Sequence, residues 1–235
     1  MGKNIGKVFV TGDTHGNFNK ILEFVRKMQT SLNDVLAILG DVGLNYYLNE
    51  KDEYNKILLS KLNLTIFCIK GNHEKYPENI PGYVTKEWNG GIVFYEEKYP
   101  NILFAKDGEI YNINGKKCLV IGGAYSVDKF YRLRMGWHWF EDEQPSENLK
   151  KDIEEKLKTD NKFDYVLTHT CPYSVRPIHL FLSYVDQDSV DSSTELWLEK
   201  ISKQIEFKKW YFGHYHDDWS IDNYQMLFNG FDILE

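Results

Sequence analysis

Short apolar runs rich in β-branched and aromatic residues recur along the chain: KVFV from Lys7, VLAIL from Val35, TIFCI from Thr65, CLVIG from Cys118, YVLT from Tyr165, KWYF from Lys209 and QMLFN from Gln225. Their length and composition predict buried strands. Between the first of them the period changes. Ile21, Val25 and Met28 are spaced for one face of a helix, and Ile57, Leu58 and Leu62 for one face of the next. Leu149, Ile153 and Leu157 predict a third helix. Leu196, Ile201 and Ile205 predict a fourth, opened by a Ser192/Glu195 capping box. Strands alternating with helices imply an α/β fold with buried sheets and helices outside. From 101 to 124 polar and apolar residues alternate around Asp107 and Gly108, then Asn114 and Gly115, two hairpin signals. The sheets are therefore expected to be mixed.

A chain of 235 residues has ample length for a core, and no low-complexity linker or internal repeat divides it, so a single domain over 1–235 is expected. Hydrophobic residues at 42% and aromatics at 15% exclude a disordered chain. The opening MGKNIGKVFV carries charge where a signal peptide needs an apolar core, and Gly6 stands where myristoylation needs Ser or Thr. No apolar run reaches membrane-spanning length, so no membrane partner and a cytoplasmic location are expected. Cys68, Cys118 and Cys171 are odd in number, widely spaced and mostly set in apolar runs, which predicts reduced core residues. A formal net charge of -7 argues against affinity won by broad phosphate neutralisation. If this chain handles phosphate, another source must supply positive charge.

Polar clusters follow the predicted strands: GDTHG at 12–16, GDVG at 40–43, GNHE at 71–74, THT at 168–170 and GHYH at 213–216. Each holds a side chain able to bind a metal. Ligands of α/β sheets bind outside the carboxyl ends of the strands, so clusters far apart in sequence are expected to converge at one edge. Taken singly, each is an ordinary turn or a lone histidine. All five in this order, each at a strand end, point to a metal site. His138 and His179 have no such setting and read as plain surface or core residues.

This set resembles the calcineurin-like metallophosphoesterases, in particular small bacterial and phage members, whose pattern is Asp-x-His, Gly-Asp, Gly-Asn-His-Glu/Asp, His, then Gly-His-x-His. The resemblance spans nearly the whole chain. It implies a four-layer αββα sandwich with two central mixed sheets flanked by helices. It gives one metal to Asp13, His15 and His216 and another to Asn72, His169 and His214, with Asp41 bridging both. Oxygen and imidazole ligands without thiolate suit Mn first, with Fe, Zn or Ni as alternatives. Two divalent cations against two ligand carboxylates leave a positive centre, which explains how an acidic protein can hold a phosphate ester. The implied reaction is attack of a metal-bridging hydroxide on phosphorus, with His73 facing the leaving group as general acid and Glu74 as a candidate to orient it.

Departures from the family pattern narrow the substrate. The protein phosphatase branch extends its second motif with an arginine that grips phosphate, whereas GDVGLNYY has none. A substitute is sought in GGAYSVDKFYRLRMGWHWFEDE, residues 122–143: Arg132 is the first candidate, with Arg134 and, further on, Arg176 beside it. Trp137, Trp139 and Phe140 fit a lid, a core or a dimer contact equally. Phosphomonoesters are the favoured substrates. A phosphodiesterase or nuclease is the alternative, although the acidic balance weighs against nucleic acid, and a non-catalytic scaffold is less favoured because every ligand is intact.

Overall fold

The structure, a computed structural model, describes residues 6–235; the first five, part of the stretch read above for targeting signals, lie outside the described residues. In chain order the elements are β1 (Val8–Thr11), α1 (Asn19–Met28), β2 (Val35–Ile38), α2 (Glu50–Ser60), β3 (Thr65–Cys68), β4 (Val84–Trp88) and β5 (Gly91–Tyr95). There follow β6 (Ile102–Ala105), β7 (Ile110–Ile113), β8 (Lys116–Ile121), α3 (Lys129–Met135), α4 (Glu147–Leu157) and β9 (Lys162–Thr168). The chain ends through α5 (Ser193–Ser202), β10 (Glu206–Phe212), β11 (Trp219–Ile221), β12 (Tyr224–Met226) and β13 (Phe231–Ile233). All seven predicted strands are present. The hairpin β4–β5 was not foreseen, because its first strand, VTKEW, is largely exposed and has no apolar run.

Among the described residues the strands form two mixed sheets. The seven-stranded sheet has the order β13-β1-β2-β3-β6-β5-β4, and the six-stranded sheet β11-β12-β10-β9-β8-β7. In each, a parallel block carries the site: β1, β2 and β3 in the first, β8, β9 and β10 in the second. Strand alternation builds four layers. Val8, Ala37 and Phe67 of one sheet meet Val120, Leu167 and Tyr211 of the other in a core between the sheets. The alternate residues Phe9, Leu36 and Ile66 pack outward with Ile21 of α1 and Leu59 of α2. On the far side Leu119, Val166 and Trp210 pack with Ile153 of α4 and Leu198 of α5. Because both faces of the parallel strands are covered, they read as unbroken apolar runs.

Three local expectations are corrected. Asp107 and Gly108 make no hairpin: they join β6 in one sheet to β7 in the other. The buried Asp107 carboxylate accepts the Gly122 N–H (2.7 Å), so the turn residues serve a crossover. Asn114 and Gly115 do close a hairpin, both with positive φ, between the antiparallel strands β7 and β8. The Ser192/Glu195 capping box does not form. Ser192 makes no capping bond and accepts from Arg176 instead, while Glu195 accepts the Thr170 hydroxyl (2.7 Å). Finally, Met28, Ile57 and Leu196 are exposed, and α2 stops before Leu62. The buried face of α2 runs through Asp52, Asn55, Lys56 and Leu59, since this helix covers polar loops as well as the sheet.

Candidate metal centre

The loops after β1, β2, β3, β9 and β10 meet at the carboxyl edge of both sheets. The loop after β1 is tied to the loop after β2, with His15 N–H donating to Asp41 O (2.7 Å) and the Thr14 hydroxyl to Val42 O (2.7 Å). Each carboxylate is then fixed by a backbone amide of a third loop. Asp13 Oδ1 accepts from His214 N–H (2.9 Å), and Asp41 Oδ1 from His73 N–H (2.8 Å). These approaches need glycine. A Cβ on Gly213 would stand 2.2 Å from Asp13 Oδ1, and one on Gly71 would stand 1.9 Å from Asp41 Oδ1. His15, Asp41, His214 and His216 also have positive φ, from 46° to 70°. Such backbone costs roughly 1–3 kcal/mol per residue and collects at functional sites.

With one carboxylate oxygen anchored, the other faces inward. Asp13 Oδ2 is buried without a hydrogen-bond partner and lies 3.4 Å from His216 Nε2 and 3.7 Å from His15 Nε2. Those two imidazole nitrogens are 2.9 Å apart. Asp41 Oδ2 stands between the halves of the cluster, 3.8 Å from His15 Nε2 and 3.6 Å from His169 Nε2. Asn72 Oδ1 lies 2.8 Å from His169 Nε2 and 3.1 Å from His214 Nδ1. Asp13, His15 and His216 offer donor atoms all within 4.8 Å of one another, as do Asp13, Asp41 and His169, and also His15, Asp41 and His73. One proton can satisfy one pair of these donors. A cation satisfies several at once, so an orphaned buried carboxylate oxygen ringed by imidazoles fits a metal site.

Electrostatics agrees. Burial alone would raise Asp13 and Asp41, but His169 and neighbouring imidazoles outweigh it and hold both carboxyls below their usual range. Burial lowers His169, yet Asp41 and Asp13 override it and push the imidazole up to about 9. His214, buried and next to His169, falls to about 3. The negative potential that favours a proton on His169 Nε2 favours a divalent cation there equally. His169 Nδ1 lies 2.7 Å from Leu39 O, and donation to that carbonyl leaves Nε2 to face the centre.

The remaining predicted residues divide. His73 sits at the rim, its Nε2 3.9 Å from Asp128 Oδ1, and burial, only partly opposed by Asp41, keeps it below the ordinary imidazole range. Glu74 does not orient it: that carboxylate is buried, accepts the Gly43 N–H (2.9 Å) and is pushed up to about 8 by burial and Asp41. Arg132 lines a cavity of about 170 Å³ with His15, Tyr46, His73, Asp128 and Trp137. It is only 1% exposed, however, and its guanidinium is engaged by the Ser126 hydroxyl, His138 O (3.2 Å) and Asp128 (3.1 Å), so it is no free phosphate clamp. Arg134 lies over Tyr131, and Arg176 stacks 3.4 Å above the Tyr173 ring. Trp137 is half exposed beside His73, Trp139 donates to Glu143 (2.7 Å) and Phe140 is buried, three different roles. His138 and His179 pack against Phe140 and Trp219, outside the cluster.

Sequence reading missed Lys20, Ser126 and Glu143. Lys20 reaches from α1 to the carbonyls of Gly12 (3.0 Å), Asp13 (2.9 Å) and Phe228, and burial lowers it to about 8. Ser126 and Glu143 lie in the segment noted for its arginines and aromatics; its polar residues follow Gly122 and Gly123 at a strand end, the same signal that marked the other clusters. No helix among the described residues is long and apolar enough to cross a membrane.

One solved structure, 15% identical, superimposes with a TM-score of 0.52 over 94% of this chain and 89% of that chain. The phosphopantetheinyl hydrolase PptH from Mycobacterium tuberculosis is 11% identical, with a TM-score of 0.48 over 94% of this chain and 87% of its own. At 15% identity the first likeness is one of fold alone. No curated protein matches the sequence. The family profile of the calcineurin-like phosphoesterases, by contrast, matches residues 6–218, a span that contains every loop of the cluster. The chain therefore belongs to the calcineurin-like phosphoesterase family and is a metal-dependent hydrolase of phosphoric esters.

Proposed function

We propose that two divalent cations occupy the cluster, one held by Asp13, His15 and His216 and the other by Asn72, His169 and His214, with Asp41 shared. The observation that carries this reading is the buried, unpartnered Asp13 Oδ2 facing His15 and His216, with Asp41 Oδ2 between that group and His169. Bound there, the cations, Mn first among them, supply Lewis acidity and the positive charge that an acidic protein lacks. The chain's own residues do the rest. Asp13 and Asp41, anchored by backbone amides, keep the donor set from collapsing, and the Leu39 carbonyl holds the tautomer of His169. His73 donates a proton from its ring to the departing ester oxygen. The negative charge of a phosphate ester beside it favours the imidazolium that this step requires.

A phosphomonoester, whose dianion suits a positive centre, is the first reading of the substrate. One observation favours a diester as the second. A cavity of about 210 Å³, walled by Tyr125, Leu180, Phe181, Val185 and Val190, opens beside His214 and His216 and is separate from the cavity at His73. A leaving group drawn to His73 fills only one of them, and a diester has a second group for the other. Metal-stripped protein reloaded with Mn, Ni, Zn or Mg and assayed on an aryl monophosphate and a bis-aryl phosphate tests both points. Equal rates with and without metal would remove the centre from the reaction, and the faster ester decides the class.

A further inference from the structure

We infer that Ser126, polarised by Glu143 and Arg132, is a positioning residue that decides which atom of the Asn72 amide faces the centre. The inference rests on the proposed role of Asn72 as a ligand. An amide oxygen can coordinate a cation, whereas its NH₂ has only protons to offer, so a flipped Asn72 would turn a ligand into a repulsive donor. Oxygen and nitrogen fill nearly the same space. Shape alone cannot hold the orientation, so hydrogen bonding must.

The neighbours of Ser126 impose it. Asn72 Nδ2 lies 2.8 Å from Ser126 Oγ. A serine hydroxyl has a single proton, and here Glu143 Oε2 stands 2.5 Å away and takes it. On another side of Oγ is Arg132 Nη2, which has no lone pair and can only donate. With its proton committed to a carboxylate and a permanent donor on its flank, Ser126 Oγ presents only lone-pair density to Asn72. The amide must answer with its NH₂, which leaves Oδ1 toward His169 and His214.

The support behind Ser126 is equally determined. Glu143 Oε1 accepts the Ser126 N–H (3.2 Å), and Oε2 also accepts Trp139 Nε1–H (2.7 Å), so both carboxylate oxygens are occupied. Asn72, Ser126, Arg132 and Glu143 are each at most 3% exposed, which keeps bulk water from substituting for any partner. A backbone bond from Gly123 N–H to Lys70 O (2.8 Å) ties this segment to the loop just after β3, and one from Ala124 N–H to Glu143 O (3.0 Å) closes the segment on itself. Within residues 122–143, Ser126, Arg132, Trp139 and Glu143 thus form a holder for one amide, the function that remains for Arg132 once a phosphate clamp is set aside.

The test is calorimetric titration of metal-stripped protein with Mn²⁺, alongside urea unfolding, for Ser126→Ala, Glu143→Gln, Asn72→Ala and the double variant Ser126→Ala/Asn72→Ala. Loss of an outer partner weakens metal affinity by about 10–100-fold. That loss is expected at one of two Mn²⁺ sites in both Ser126→Ala and Glu143→Gln, and the double variant should bind no more weakly than Asn72→Ala alone. Glu143→Gln keeps its volume and carries the comparison should Ser126→Ala prove too unstable to titrate. If Asn72→Ala weakens one site while Ser126→Ala and Glu143→Gln lower only the urea midpoint, the positioning role is overturned and the ligand stands. If Asn72→Ala leaves both sites intact, the ligand assignment fails and takes this inference with it.

Discussion

The roles proposed for His73 and Asp41 differ within one cluster, and single substitutions separate them. If His73 protonates the leaving group, His73→Ala keeps both metals and loses on the order of 10²-fold or more in turnover on an alkyl ester. On a nitrophenyl ester the loss shrinks, because nitrophenolate departs without a proton. Rates on both esters with metal-replete protein check this, and a defect independent of the leaving group would retire the general acid. Asp41 is the only carboxylate assigned to both metals, so Asp41→Asn should reduce metal occupancy and turnover more than Asn72→Ala; equal or reversed losses by elemental analysis and rate would take it off the bridge. The glycines that admit the close approach of these loops can be tested in the same way. Gly213→Ala puts a methyl 2.2 Å from Asp13 Oδ1 and should lower stability by about 1–3 kcal/mol while lowering metal affinity, read by urea unfolding and calorimetry.

At the scale of elements, what could be read from the chain depended on whether an element's partners are local. The central parallel strands were legible because burial on both faces writes an unbroken apolar run, which the exposed β4 lacks. The helix faces were less so: the polar Asn55 on the buried side of α2 donates to Gly43 O (3.0 Å), a partner that periodicity cannot announce. Caps divide the same way. Asn49 accepts the Lys51 N–H (2.9 Å) and opens α2 over an acidic first turn, whereas Ser192 and Glu195 are drawn off by Arg176 and Thr170. Asn49→Ala should accordingly cost about 1 kcal/mol in urea unfolding, and Ser192→Ala no capping energy. A substitution between the sheets acts on a larger scale than either cap. Phe67→Ala, in the core they share, should cost about 3–5 kcal/mol by the same measurement.

For the molecule as a whole, metal and fold are linked, because the proposed ligands come from loops of both sheets and converge only in the folded chain. Elemental analysis after reloading should therefore saturate at two ions per chain, and free metal at about 100 times its dissociation constant should add roughly 2.7 kcal/mol of stability for each site. Saturation at one ion or none would end the binuclear reading. The sequence by itself determined the α/β class, the strand runs and the candidate ligands at their ends, because each is written locally as an apolar run closed by glycine and a polar side chain. Only the tertiary structure decided that Asp107 crosses between sheets, that Arg132 faces Ser126, and that Glu74 stays away from His73. Those outcomes depend on contacts such as Asp13 with His214, 201 residues apart, and Asn72 with Ser126, 54 apart. Period and composition describe which face of its own element a residue occupies. The packing of two sheets alone determines which distant loop that face will meet.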